Sequence, residues 1–415
     1  MEPKRKLFNR DFSLMVVGQV ISQFGHSILS FALSLYVLDL TGSATLFGGV
    51  LAVSTVPRIL FAPVGGVLAD RLPRHRIMYV LDFLTAVAVW NFGLFGRNGS
   101  PVPPAALMMA LAVVSACYYP SVSSSTPLLV PAEELTRANS VTSQVNALSG
   151  LLGPILGGIV YGFWGIGSIC LVSGGCFLTS AVMECFLRIP FQPQASRGGG
   201  LTTAVADLKE AGTFLSRSGL LTLLFVFAAV NFLFNGCCNV ALPYHLKITL
   251  GLSSQLYSLV ESAAAAGSIL GATLVGILGS RLSFYQNWKY AFFATLPLAF
   301  TALALIRLDF PLISWAVILL AWFAGMVFNA FLNILHAAFV QQITPTPLLG
   351  KVSSLSSMCC QCVIPLGQGA YGLLVASLPP WCVFLFTFAA SLPLVALIRS
   401  SLNKFQSSEI KILEI

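Results

Sequence analysis

Along this chain, polar positions interrupt the apolar ones only at wide intervals, and that spacing sets the architecture. Stretches almost free of charge run over about 13–36, 45–67, 77–96, 104–129, 141–164, 168–187, 219–244, 253–279, 288–306, 311–338, 352–378 and 381–399. Each is close to the roughly 20 apolar residues that carry a helix across a bilayer core. The pattern predicts an all-α membrane protein with twelve transmembrane helices.

The polar interruptions fix sidedness. With the N-terminus inside, the inner loops and tails hold eighteen Lys and Arg residues, and the outer side holds only Arg97, Lys247 and Arg307. Basic residues mark the cytoplasmic side, so both termini are expected in the cytoplasm of a cell whose plasma membrane holds the chain. Lys4-Arg5-Lys6 ahead of an apolar run has the look of a signal peptide. No small-residue cleavage site follows a short apolar region, and this stretch reads as a retained first helix.

Composition agrees with the pattern. The 415 residues are 57% hydrophobic and 9% charged, with a mean hydropathy of +0.87, where a soluble domain carries about 25% charge. A soluble enzyme, a nucleic-acid-binding module and a disordered chain are excluded. The net charge of +8 is then a topology signal and calls for no nucleic-acid partner. Most of the ten cysteines lie in apolar runs without metal-ligand spacing, so they read as small fillers of helices.

The longest polar connection, 188–218, divides the spans six and six. It joins a Gly-rich piece, 196–200, to a segment with charged and apolar residues at helical spacing, a possible amphipathic helix on the inner surface. The expected organisation is an N-terminal six-helix bundle over 1–187, a cytoplasmic linker over 188–218, and a C-terminal bundle with a short tail over 219–415. The halves share a sparse repeat. At one constant offset Pro131 matches Pro345, Arg137 matches Lys351, Gly153 matches Gly367 and Gly158 matches Gly372. Residues 66–72 likewise match 276–282.

Two motifs are more specific. Between the second and third spans the chain reads Gly65-Gly66-Val67-Leu68-Ala69-Asp70-Arg71-Leu72-Pro73-Arg74-His75-Arg76. This resembles the signature loop of the major facilitator superfamily. The fifth span carries Gly153-Pro154-Ile155-Leu156-Gly157-Gly158, which is similar to the antiporter motif of drug and metabolite exporters, although Ser149 replaces its upstream glycine. With the stretches 37–44, 135–140 and 341–354, the chain resembles the bacterial exporter branch that includes macrolide-efflux and enterobactin-export proteins. The resemblance implies the major facilitator fold of two pseudo-symmetric six-helix bundles. It also implies a conformational latch at Gly66, Asp70, Arg71, Arg74 and Arg76, and close helix packing at Gly153, Pro154, Gly157 and Gly158. One departure bears on mechanism: the fourth span has no arginine, where many proton-driven drug antiporters carry one.

Ionisable residues are expensive inside a bilayer, about 2.5–3.5 kcal/mol at the centre on insertion scales, so their positions are informative. Glu261 sits more than two turns inside the eighth span among small residues. It is the first candidate for a proton-coupling site; the alternative is a glutamate held structurally by a neighbouring hydroxyl or amide. Arg58 follows Pro57 deep in the second span and serves an anionic substrate or a proton relay, or else snorkels inward or pairs with Asp82. Asp82 is a weaker coupling candidate. It and Glu184 lie within about two turns of inner helix ends, where solvation or loop pairing accounts for them.

In the family the resemblance names, the first, fourth, seventh and tenth spans line the central cavity. Candidates for substrate contact on these spans are Gln23, His26, Phe31, Asn231, Asn235, Trp322, Asn329 and Asn333. Aromatic walls with few fixed charges suit a bulky amphipathic molecule. The leading expectation is a monomeric secondary transporter that exports such molecules, drugs or a siderophore-like metabolite, in exchange for protons by alternating access. Proton-coupled uptake of a nutrient is the alternative on the same fold. A non-transporting sensor or lipid scramblase is the alternative of another class. No metal or cofactor is expected, and no enzymatic motif is found.

Overall fold

The computed structural model describes residues 8–131, 134–189, 209–216, 220–278, 282–306 and 310–413, and among these every regular element is helical. In chain order they are α1 (Arg10–Thr41), α2 (Ala44–Arg71), α3 (Arg74–Phe95), α4 (Val102–Leu129), α5 (Leu135–Cys185), α6 (Leu220–Gly236), α7 (Ser254–Leu278), α8 (Asn287–Ile306), α9 (Pro311–Ile343), α10 (Thr346–Ser377) and α11 (Pro380–Leu413). The α6 helix continues through wider π-helical turns at Cys237–Ala241 and His245–Thr249, which makes one apolar stretch of Leu220–Thr249.

Local chemistry sets the boundaries. Asn9 opens α1 by accepting a hydrogen bond from the Phe12 amide at 3.0 Å, an N-cap that satisfies one of the first unpaired donors of the helix. Gly42 closes α1 in the left-handed region, and the Ser43 side chain then caps α2. Among the described residues, eleven helices are long and apolar enough to cross a membrane. One of them, Arg137–Cys185 with 49 residues, would extend about 73 Å at about 1.5 Å per residue, more than twice the hydrocarbon thickness. It breaks at Gly165, where φ is 72° and ψ −175°, a conformation that a residue with a Cβ rarely adopts. The break falls between the fifth and sixth expected spans, so α5 supplies both and the described residues hold twelve.

Two compact units result, Met1–Ala195 with Ser253–Ser262, and Ser196–Leu252 with Ala263–Ile415. The first unit has two apolar cores. Leu29, Leu33, Val89 and Ile169 form one of them; Phe12, Met15, Met78 and Leu129 form the other. The core of the second unit gathers Leu220, Phe227, Leu332, Val352 and Leu402.

Part of the expected linker helix is described. Residues 209–216 are helical, with Ala211 and Leu215 buried in the core of the second unit. On its exposed side Glu210 forms an ion pair with Lys351 at 2.6 Å. The remainder of that connection, 190–208 and 217–219, lies outside the described residues.

Candidate functional site

The first unit brings the antiporter-like motif, Phe31 and Glu261 together. Along the α1–α5 seam Gly153 lies directly against Ser27, whose side chain occupies the place a Cβ on Gly153 would take. Ser27 donates a hydrogen bond to the Ser149 carbonyl at 2.8 Å, so the seam is closed by contact and by a polar tie. Pro154 stands inside the helix just after this tie. A Cβ on Gly157 would stand 3.1 Å from both the Ile28 carbonyl and the Phe31 ring, and Gly158 faces Ser258 and the Ser254 carbonyl.

That last contact belongs to the same unit because Ser253–Ser262, the start of α7, is seated there. Phe31 stacks on Tyr257 with ring centroids 5.4 Å apart and an interplanar angle of 10°. Tyr257 donates its hydroxyl to Glu261 Oε1 at 2.9 Å. Glu261 is half-buried. An aromatic wall, a tyrosine hydroxyl and a membrane-embedded carboxyl thus stand in sequence along one side of α1 and α7.

Further polar candidates stand on α1 and α2. Gln23 and His26 are half-buried, and His26 Nε2 is 3.4 Å from Ser30 Oγ. Arg58 is exposed on α2. Asp82 and Glu184 differ from their reading as solvated groups near helix ends. Asp82 is 2% exposed and Glu184 0%, and Tyr118 of α4 donates its hydroxyl to Glu184 Oε1 at 2.5 Å. Among the described residues neither carboxyl forms an ion pair; their neighbours are helices packed around them, not a basic loop.

The second unit carries the asparagine candidates. The amides of Asn231 and Asn235 each donate to the carbonyl four residues earlier, at 2.9 Å. Asn333 donates to the carbonyl and side chain of Asn329, both at 2.8 Å. The amide donors of Asn231, Asn235 and Asn333 are therefore engaged along their own helices, and the side-chain oxygens of Asn235 and Asn329 accept there as well. Asn333 is exposed, while Asn231, Asn235 and Asn329 are half-buried. Trp322 departs from the expected cavity position: it is 3% exposed, its indole N–H donates to Thr301 Oγ1 at 3.1 Å, and it anchors α9 on α8.

In the loop motif, Arg71 and Arg76 are exposed, and Arg74 Nε donates to the Ala69 carbonyl at 3.1 Å, tying the start of α3 to the end of α2. The surroundings of Gly66 and Asp70 lie outside the described residues. No group of three or more His, Cys, Asp or Glu residues is placed to hold a metal among the described residues. Two functional-looking contacts escaped the sequence reading. Tyr257 precedes Glu261 by four residues, a spacing that puts both on one helix face and was available from sequence. Tyr118 and Glu184 are 66 residues apart, and nothing in the linear order joins them.

Comparison with known proteins places these features in a family. The sequence model of the Major Facilitator Superfamily matches residues 15–368. The chain is 25% identical over 378 residues to macrolide efflux protein A of Streptococcus pyogenes, covering 86% of this chain and 87% of the relative. It is 24% identical over 326 residues to the enterobactin exporter EntS of Salmonella choleraesuis (strain SC-B67), covering 75% of this chain and 71% of the relative. Among solved structures, a bacterial homologue of the iron transporter ferroportin in its inward-facing state superposes with a TM-score of 0.69. It is 20% identical, with 96% of this chain and 99% of the other covered. At that identity the likeness shows the fold.

Proposed function

This chain belongs to the major facilitator superfamily, and we propose that it is a proton-coupled exporter of amphipathic small molecules, working by alternating access as a monomer. As a member of the family it is a multi-pass membrane transporter of a small molecule. The observation that carries the direction of transport is the similarity, over most of the chain, to a macrolide efflux protein and an enterobactin exporter. The sites support the same reading. The α1–α5 seam keeps the Gly153-Pro154 motif in close contact, and the Phe31–Tyr257 stack leads to a carboxyl inside the membrane. The bacterial relatives support a bacterial plasma membrane, and the basic inner loops support both termini in the cytoplasm.

In this reading Glu261 is the first coupling residue, held by Tyr257, with Arg58 as a further coupling candidate. Gln23, Phe31, Asn231, Asn235, Asn329 and Asn333 contact substrate; Trp322 supports the wall from behind. Arg71, Arg74 and Arg76, with Gly66 and Asp70, hold the loop that the conformational cycle makes and breaks. One proton charge falling through 100 mV releases about 2.3 kcal/mol. At about 1.4 kcal/mol per tenfold ratio, that sustains a gradient of about 40- to 50-fold for a neutral substrate, so one carboxyl is sufficient.

The test is a susceptibility panel in an efflux-deficient bacterium expressing the protein, with macrolides, cationic dyes and catecholate siderophores. Raised tolerance to at least one amphipathic class, lost on Glu261→Gln with unchanged protein level, is expected. No change across the panel would remove the export of such molecules from the account.

A further inference from the structure

Near the C-terminal end of α5 the first unit buries two carboxyl groups that the transport reading above leaves without a shared role. Asp82 comes from α3 and Glu184 from the last turn of α5, and neither reaches solvent. The Tyr118 hydroxyl donates to Glu184 Oε1, and Ser22 of α1 stands 3.5 Å from that hydroxyl. Trp90 of α3 donates to the Leu171 carbonyl of α5 at 3.4 Å and Gly93 packs on Cys170, an antiparallel register that brings Asp82 level with the stretch of α5 from Ser180 to Glu184. Ser180 gives its hydrogen to the Gly18 carbonyl at 3.1 Å, and since a hydroxyl has a single hydrogen to donate, that hydrogen is not available to either carboxyl.

The remaining valences point the same way. Asp82 Oδ2 and Glu184 Oε2 have no hydrogen-bond partner. Gln19 lies between Gly18 and Ser22, the two α1 residues that touch the group; it is 5% exposed, and its Oε1 is also without a partner. Among the described residues the site has a surplus of acceptors and no cationic partner. The side chains shown at it from α1, α4 and α5 are Ser22, Tyr118 and Ser180. Two uncompensated negative charges in such surroundings are strongly unfavourable, and carboxyls so placed titrate as a pair.

We propose that Asp82 and Glu184 form a proton-binding site in which the two carboxyls hold one proton between them, with Tyr118 as its positioning residue, and that the transport cycle moves this proton. The first part stands on the geometry alone. The second rests on the proton-coupled reading of function.

Infrared spectroscopy on the purified full-length protein at neutral pH tests the first part. The expected spectrum contains a protonated-carboxyl C=O stretch that is lost in Asp82→Asn and in Glu184→Gln, is shifted in Tyr118→Phe, and survives in Glu261→Gln. A band unchanged in the two pair variants overturns the site. Monodisperse elution certifies the fold of each variant, and if the pair variants fail it, Tyr118→Phe decides, an unshifted band being the contrary result. Erythromycin transport in proteoliposomes under an imposed pH gradient tests the second part. Wild type is expected to accumulate the drug uphill, and Glu184→Gln only to equilibrate it. Uphill accumulation by both pair variants overturns the role of the pair. A wild type indifferent to the pH gradient instead defeats proton coupling, and the infrared result then decides the site by itself.

Discussion

The seam between α1 and α5 makes a quantitative prediction. Replacing Gly153 by Ala puts a methyl group on the Ser27 hydroxyl and within 2.6 Å of Ser27 Cβ. Overpacking of this kind costs about 1–3 kcal/mol. If Ser27 turns away to make room, its hydrogen bond to the Ser149 carbonyl is lost, at a further cost of about 1 kcal/mol. Gly153→Ala is therefore expected to destabilise by about 2–4 kcal/mol, despite the better helix propensity of alanine. Ser27→Gly alone should cost about 2 kcal/mol, from the same hydrogen bond and from glycine in a helix. In the double variant the space vacated at position 27 accepts the new methyl, so its cost should stay at about 2 kcal/mol instead of the sum of about 4–6 kcal/mol, a coupling at the upper end of what neighbouring residues show. Equilibrium unfolding in mixed micelles by SDS titration measures all three. Additive losses in the double variant would show that Gly153 is not there to admit Ser27.

The other expectations are smaller in scope. Glu261→Gln should abolish accumulation driven by a pH gradient while leaving substrate binding by fluorescence titration intact; full uphill export by this variant removes it from the coupling step. Trp322→Phe should lower stability by about 1 kcal/mol, the worth of its bond to Thr301, without changing substrate affinity, and a large loss of affinity would return the residue to the cavity wall. Arg74→Ala removes the tie to the Ala69 carbonyl and should lower the transport rate while leaving the concentration for half-saturation unchanged; a change in half-saturation alone contradicts a conformational role. Asn235→Ala should weaken binding more than it lowers stability, since the amide bonds only to its own helix, and thermal unfolding beside a binding titration separates the two.

The spans could be read from the sequence because a bilayer filters composition over about 20 residues at a time, a signal that survives errors at any one position. Even the break inside α5 was visible, as Trp164-Gly165-Ile166-Gly167 between two apolar runs. What the sequence conceals is lateral. Depth along a helix placed Asp82 and Glu184 near water, but burial is decided by what lies beside them, Tyr118 on α4 and Gly18 on α1. Trp322 misled for the same reason: an amphipathic ring on a cavity-lining span suggests a substrate contact, and its real partner, Thr301, is on another helix. The asparagines were correctly seen as polar groups on their spans, yet the spacing of four that repeats at Asn231, Asn235 and Asn239 also sends each amide back to its own helix.

The central claim is that proton entry drives a bulky amphipathic molecule out of the cell. Everted membrane vesicles from cells expressing the protein, energised to acidify their interior, put it to a direct test with radiolabelled erythromycin. The account predicts uphill accumulation inside the vesicles that collapses on addition of a protonophore. Efflux from preloaded everted vesicles on energisation, or accumulation indifferent to the protonophore, would contradict it.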